Sequence, residues 1–253
     1  MSARVWFWLL SLSVLWGGSF FFAKVALAEL APLTVVFCRV ALAALALNLV
    51  LVAAGRPLFR AGAPIRSCAV TGILNNLAPF DLTFWGGVAV LPGADAVGSD
   101  RGIAGQIACL GAALSYAIAG VYGRRFGRMG VAPLDAAAGQ VTASALLILP
   151  IMLVVEQPWM LPAALGATTA AALGGLALLS TALGYILYFR ILAAAGATNL
   201  LLVTFLIPVT AILLGALVLG ERLAPRHFIG RLLIGLSLDV IDGRIVRSLH
   251  AAK

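Results

Sequence analysis

The sequence predicts an all-α polytopic membrane protein: an inverted-repeat helical bundle of about eight transmembrane helices. Three observations predict it. Of 253 residues, 63% are hydrophobic and only 10% charged, at a mean hydropathy of +1.11, whereas a soluble domain carries roughly a quarter charged residues. So few polar groups cannot cover a water-facing surface, and lipid must take that place. Runs such as ALAALALNLVLVAA (41–54) do not alternate apolar with polar, as a closed β-barrel requires. Helices are then the spans, because hydrocarbon offers backbone N–H and C=O groups no water. The third observation is that pieces of the first half recur, imperfectly, in the second.

In chain order, span 1 is expected at about Val5–Leu27 and span 2 at about Leu33–Val52, separated by Glu29 and Pro32. Arg4, the following apolar run and Ala26-Leu27-Ala28 imitate a secretory signal. The run continues through Phe20-Phe21-Phe22, longer than such a signal needs, so a retained first helix is expected. Arg56, Arg60 and Arg66 form a basic loop with Pro57 and Pro64. Span 3, about Ser67–Leu91, carries Asn75, Asn76, Pro79 and Asp81, and GADAVGSDRG follows as the boundary between halves. Span 4 (about Ile103–Tyr122) ends in a basic loop of Arg124, Arg125 and Arg128; span 5 (about Pro133–Val155) closes at Glu156-Gln157-Pro158. Spans 6, 7 and 8 are expected at about Thr168–Leu192, Thr198–Leu219 and Phe228–Ile245.

The net charge of +8 is distributed between spans and forms no single stripe. That argues for a topology signal and against a nucleic-acid partner. With the N-terminus in the cytoplasm, inner segments hold 11 of the 17 Lys and Arg and outer loops hold four, with Lys24 and Arg39 inside spans. The positive-inside rule thus places both termini in the cytoplasm and the chain in the inner or plasma membrane. Cys38, Cys68 and Cys109 lie in apolar spans with no ligand spacing and read as small buried hydrophobes.

Ala31-Pro32-Leu33 followed by Arg39-Val40 matches Ala132-Pro133-Leu134 followed by Gln140-Val141, at an offset of 101. LWGGSFFFAK (15–24) pairs with LSYAIAGVYG (114–123), and Phe84-Trp85 with Tyr188-Phe189. Each copy is thus a span, a second opened by A-P-L, and a third ending in paired aromatics. An odd number of spans per copy inverts the second, a transporter signature. After Phe189 the second copy continues through spans 7 and 8, while after Trp85 the first goes directly to Gly86-Gly87. The division is residues 1–93 for the shortened first repeat, 94–102 for a linker, 103–246 for the second repeat and 247–253 for a cytoplasmic tail.

On LWGGSFFFAK, Arg39 of span 2, NNLAPF (75–80), FWG (84–86), LSYAIAGVYGRRF (114–126) and FLIPVTAILLGALVLGERL (205–223), the chain resembles the EamA-type members of the drug/metabolite transporter superfamily. The resemblance implies two inverted five-helix repeats, here lacking two helices of repeat one. It also implies a secondary transporter that exports a small, amino acid-like or drug-like solute, with the bilayer as its other partner. The alternative is a non-transporting scaffold left by the loss of two helices, for which a homodimer would rebuild the missing wall.

Ionisable groups inside spans are costly and usually face a cavity or a partner. Arg39 either binds an anionic solute or holds Asp81 in an ion pair; Asp81 is also the candidate for proton coupling. Trp16, Phe20 and Lys24 recur every fourth residue on span 1, and Lys24 either joins that face or snorkels to the interface. Asn75 and Asn76 precede Pro79 by about a turn. They either ligate solute or satisfy the backbone that proline breaks. Thr181, Tyr185 and Tyr188 form a polar-aromatic stripe on span 6, while Tyr116 and Gln140 sit where the repeat places Trp16–Gly17 and Arg39. These residues are the expected cavity lining. Gly111, Ser115, Ala119, Gly123 and Gly127 form a ridge for close helix packing, and Pro208, Gly215, Gly220 and Glu221 shape span 7. His227 and His250 stand alone, and no G-x-S-x-G or phosphate loop occurs, so no enzyme, metal or cofactor is expected.

Overall fold

Two long helices begin on the same signal. Pro32 and Pro133 each open a helix behind an extended alanine, Ala31 and Ala132. Proline's missing N–H costs no bond there and its φ is already helical. The structure, a computed structural model, describes residues 2–56, 64–82, 100–158, 165–207 and 209–210. In chain order, α1 is Ala3–Ala26, α2 Pro32–Ala53, α3 Ile65–Gly72, α4 Asp100–Arg128, α5 Pro133–Val155, α6 Ala167–Gly174 and α7 Gly184–Leu200. α3 runs into a π-helical stretch at Ile73–Leu77, and α6 into a longer one at Gly175–Leu183. The described residues contain no strand, and five of their helical stretches are long and apolar enough to cross a membrane.

Spans 1, 2 and 5 fall where the sequence places them. Span 4 is longer: Arg124, Arg125 and Arg128 belong to the last turns of α4, where cations suit the helix's negative end, and are not a loop. Span 6 likewise continues to Leu200, but Gly196, at φ 79 and ψ 172, breaks α7 in a conformation open essentially to glycine alone. The end of span 3 beyond Leu82, residues 83–99 with most of the linker, Pro208, the rest of span 7 with Glu221, span 8 and the tail lie outside the described residues.

The bundle is organised around α2 and α5, which run antiparallel and are tied at both ends. Where α2 starts, the Glu156 carboxylate accepts from the N–H groups of Leu33 (2.7 Å) and Thr34 (2.6 Å) and from the Thr34 hydroxyl (2.7 Å). A helix N-terminus leaves these amides without partners of its own. Where α2 ends, Arg56 meets Asp135 of the first turn of α5 at 3.1 Å. Each half then lends its third span to the other. α3 and its π stretch pack on α4 and α5, whereas α6 and its π stretch pack on α1 and α2.

Close approach depends on missing side chains. A Cβ on Gly72 would lie 2.9 Å from Ser144 Oγ, and one on Gly184 would lie 2.8 Å from Trp16 Nε1. The expected ridge on α4 packs closely along part of its length, Ser115 and Ala119 being buried and Gly123 lying against Leu192. Nothing lies within 4 Å of a Cβ on Gly127. Two apolar clusters result. One gathers Val5, Leu9, Leu12, Leu47, Phe126 and Val141 at the end where α1 begins. The other gathers Ala26, Val36, Phe80, Ile148 and Leu176 at the opposite end. Outward-facing Leu110 and Val154, 70% and 75% exposed, are lipid-side residues.

Glu156→Ala should therefore lower the unfolding free energy of the detergent-purified protein by about 1–3 kcal/mol, since it orphans several donors on one helix end. Asp135→Ala, breaking a half-exposed pair, should cost about 0.5 kcal/mol or less; equal losses would refute this asymmetry. A third tie is pH-sensitive. The Gly166 N–H, then the Thr169 hydroxyl, hold the exposed Glu29 carboxyl below its ordinary value, against a weak opposing effect of burial. A lowered folded value contributes stability that is complete above the unfolded value and is lost as pH falls through the folded one. The Tm difference between the unmodified chain and Glu29→Gln should be flat above about pH 6 and close below the ordinary value of 4.5. A difference that widens on acidification would contradict this tie.

Candidate solute-binding site

The site begins with backbone. A π turn shifts the hydrogen-bond ladder and leaves carbonyls that a membrane helix cannot give to water. Here other helices supply the donors. The Leu74 carbonyl accepts from Ser115 Oγ at 2.7 Å, and that of Gly72 from Ser144 Oγ at 3.2 Å. In the second stretch, the Ser180 carbonyl accepts from the Trp16 indole at 3.1 Å, while Ser180 Oγ donates to the Leu15 carbonyl at 2.8 Å. Thr181 Oγ1 donates back to the carbonyl of Leu176, five residues earlier, at 2.8 Å.

Between the two apolar clusters these stretches hold a polar centre. Asn75 Nδ2 donates to Gln140 Oε1 at 3.0 Å, and Asn76 Nδ2 to Ser144 Oγ at 2.6 Å. The Tyr185 hydroxyl lies 2.9 Å from the Asn75 carbonyl and bonds Asn76 Oδ1. Trp16 packs 6.1 Å from the Tyr185 ring and 6.0 Å from the Tyr188 ring. Arg39, 6% exposed, donates from Nε to Thr181 Oγ1 at 2.7 Å, and its guanidinium carbon lies 3.8 Å from the Phe80 ring centre. Its electrostatic neighbours are the Tyr185 and Tyr116 hydroxyls.

The Tyr188 hydroxyl faces the Asn75 side chain and the Tyr185 hydroxyl faces Gln140, but Asn75 Oδ1, Gln140 Nε2 and the Tyr188 hydroxyl make no well-aligned hydrogen bond. The acceptor and donor left over by the Asn75–Gln140 bond thus have only these poorly aligned tyrosine hydroxyls beside them.

A cavity of about 390 Å³ lies nearer the end where α1 begins, with Arg124, Arg128 and Gly196 in its lining. Phe126 and Phe189, edge to face at 5.5 Å, also line it, and Phe189 packs 5.1 Å from Tyr188. The cavity thus abuts the polar centre across one aromatic layer.

The family profile described as the EamA-like transporter family matches residues 103–241, more than half the chain. The chain belongs to the EamA-like transporter family. That family is part of the drug/metabolite transporter superfamily, and its membership together with the apolar helices makes this a multi-pass membrane protein. No curated protein matches the chain.

Of the lining residues expected from sequence in this EamA-like chain, the structure gathers Trp16, Arg39, Asn75, Asn76, Gln140, Thr181, Tyr185 and Tyr188, with Tyr116 at the edge. Phe20 is 53% exposed and does not join them. Each i+4 step advances about 40° beyond a full turn, so the face read from Trp16 drifts outward by Phe20 and Lys24, which is also exposed. Arg39 makes no ion pair with Asp81: among the described residues the ion pair found is Arg56–Asp135, and Asp81 Oδ1 is buried without a partner near Glu156. The asparagine side chains do not repair the backbone ahead of Pro79; their amides bond α5 side chains. Ser144 and Ser180 were not singled out by sequence, and Ser115 was read only as part of the packing ridge on span 4. Ser144 lies one turn from Gln140, on the face that meets Asn76, and that spacing was its available signal.

The two tyrosines give a contrasting prediction. Tyr185→Phe removes a satisfied hydroxyl and should destabilise the solute-free protein by about 1–2 kcal/mol. Tyr188→Phe removes a hydroxyl that faces Asn75 without a well-aligned bond and should cost less. Thermal unfolding in detergent checks the order, and a larger loss at Tyr188 would contradict the hydrogen-bond assignment.

Proposed function

We propose that this EamA-like chain is a secondary transporter that exports a small metabolite by alternating access, with its solute site at the polar centre between the repeats. The observation that carries the reading is a buried polar centre of Arg39, Asn75, Gln140 and Tyr188, contributed by both halves of the chain and flanked by apolar clusters on either side. A centre closed at both ends fits the occluded step of such a cycle.

Inversion of the repeats draws support from two features. The π stretches begin at Ile73 and Gly175, 102 residues apart, each after an eight-residue helix. The Thr34–Glu156 and Asp135–Arg56 ties join equivalent ends of the antiparallel α2–α5 pair. With the distribution of basic residues, the reading places the protein in the inner or plasma membrane with both termini in the cytoplasm.

An untargeted comparison of solutes outside cells tests the reading. Cells express the unmodified chain, a Trp16→Ala/Tyr185→Ala variant or neither, at matched membrane abundance. One or a few small solutes should accumulate outside only with the unmodified chain. Coincident profiles under varied metabolic load would overturn export and leave a scaffold role.

A further inference from the structure

We infer that the solute taken by this site is a small organic monoanion bearing a carboxylate, which neutralises Arg39; the inference rests on the transport reading above and adds its substrate class. A guanidinium stays charged in any protein environment. Burying it is costly unless it is paired and hydrogen-bonded. Arg39 has a hydroxyl on Nε and an aromatic ring against its face, neither of which carries negative charge. No described carboxylate pairs with it. The compensating charge is therefore missing from the described residues, beside the buried polar groups of Asn75, Gln140 and Tyr188.

The sign and size of that charge select the solute. One cation with no acid beside it among the described residues favours a single negative charge, repels a cation and leaves the ammonium of a zwitterion without a counter-ion. A carboxylate suits the guanidinium's planar fork of donors. Gln140 Nε2 supplies a further donor, and Asn75 Oδ1 and the Tyr188 hydroxyl, which face each other without a well-aligned bond, are the polar groups nearest the solute's neutral part. The Trp16, Tyr185 and Tyr188 rings offer an apolar wall. The approach carries the same sign, since Arg124 and Arg128 line the adjoining cavity and attract anions to its mouth.

Acid–amide pairs of matched shape test this in the detergent-purified full chain: acetate and acetamide, isobutyrate and isobutyramide, phenylacetate and phenylacetamide, with phenethylamine and phenylalanine as the cationic and zwitterionic forms. Thermal stabilisation against ligand concentration at pH 7 gives apparent affinities. At least one acid should bind about tenfold or more tightly than its amide, and phenethylamine should be the weakest of the phenyl series. Arg39→Lys should weaken the acid and Arg39→Gln abolish its advantage. If no acid outranks its amide, or if the amine ranks first, the inference fails on the unmodified protein alone, whether or not the Arg39 variants fold. The efflux comparison separates the two claims. An exported solute without negative charge at pH 7 overturns the monoanion and leaves transport standing. Acid-selective binding without efflux removes transport and leaves Arg39 as an anion site.

Discussion

Hydrocarbon gives a released carbonyl nothing to bond, and this constraint shapes the centre of the molecule. Once residues 73–77 and 175–183 take the π geometry, donors must come from neighbouring helices. Ser115, Ser144, Tyr185 and Trp16 bond carbonyls in or beside these stretches. Each such donor fixes one helix against another, so the same bonds that repair the backbone also set the depth and facing of the aromatic wall. The glycines follow from this. Gly72 and Gly184 sit where the repairing side chains arrive, and a methyl group there would push Ser144 or Trp16 away.

The sequence placed spans 1, 2 and 5 because their signals were local. Proline at the first turn and Glu156 past the last one are read off directly, and helices α2 and α5 fall where they predict. The site was legible where type and spacing agreed. Thr181, Tyr185 and Tyr188 are all buried on one run, and the repeat alignment led to Gln140 opposite Arg39. What escaped depended on angles and on long-range partners. A face extrapolated in fourfold steps drifts, so Phe20 was misplaced. The choice of partner for Arg39 could not be made without packing, because Asp81 and Thr181 were both polar groups on other spans and only Thr181 meets it. The π geometry leaves no residue-level signature. Pro79 drew attention to the backbone of span 3, yet the irregular turns lie just before it and recur in span 6 without a proline.

If the solute is a monoanion, the energetics of export change. Moving one negative charge out of a compartment held 100 mV negative releases about 2.3 kcal/mol, enough on its own to sustain a gradient of roughly fiftyfold. A coupled proton is then unnecessary, and the acidic groups near the end where α2 starts are available for structural work. Glu156 already has such work at the start of α2, and Glu29 at the start of α6.

The longer π stretch also makes the site sensitive to residue count. Tyr185 and Tyr188 follow it directly on α7, and their direction depends on the wider turns that precede them. Loss of one residue between Gly175 and Leu183 would let the ladder close as an α-helix with the facing of α7 little changed, because the wider turns are what absorbs the extra residue. The Ser180 carbonyl would return to the ladder and release the Trp16 indole, while every apolar residue stayed apolar and the span still crossed the bilayer. Among sister sequences, a single-codon gap in this stretch would therefore mark a freed Trp16 in a lining that otherwise keeps its facing.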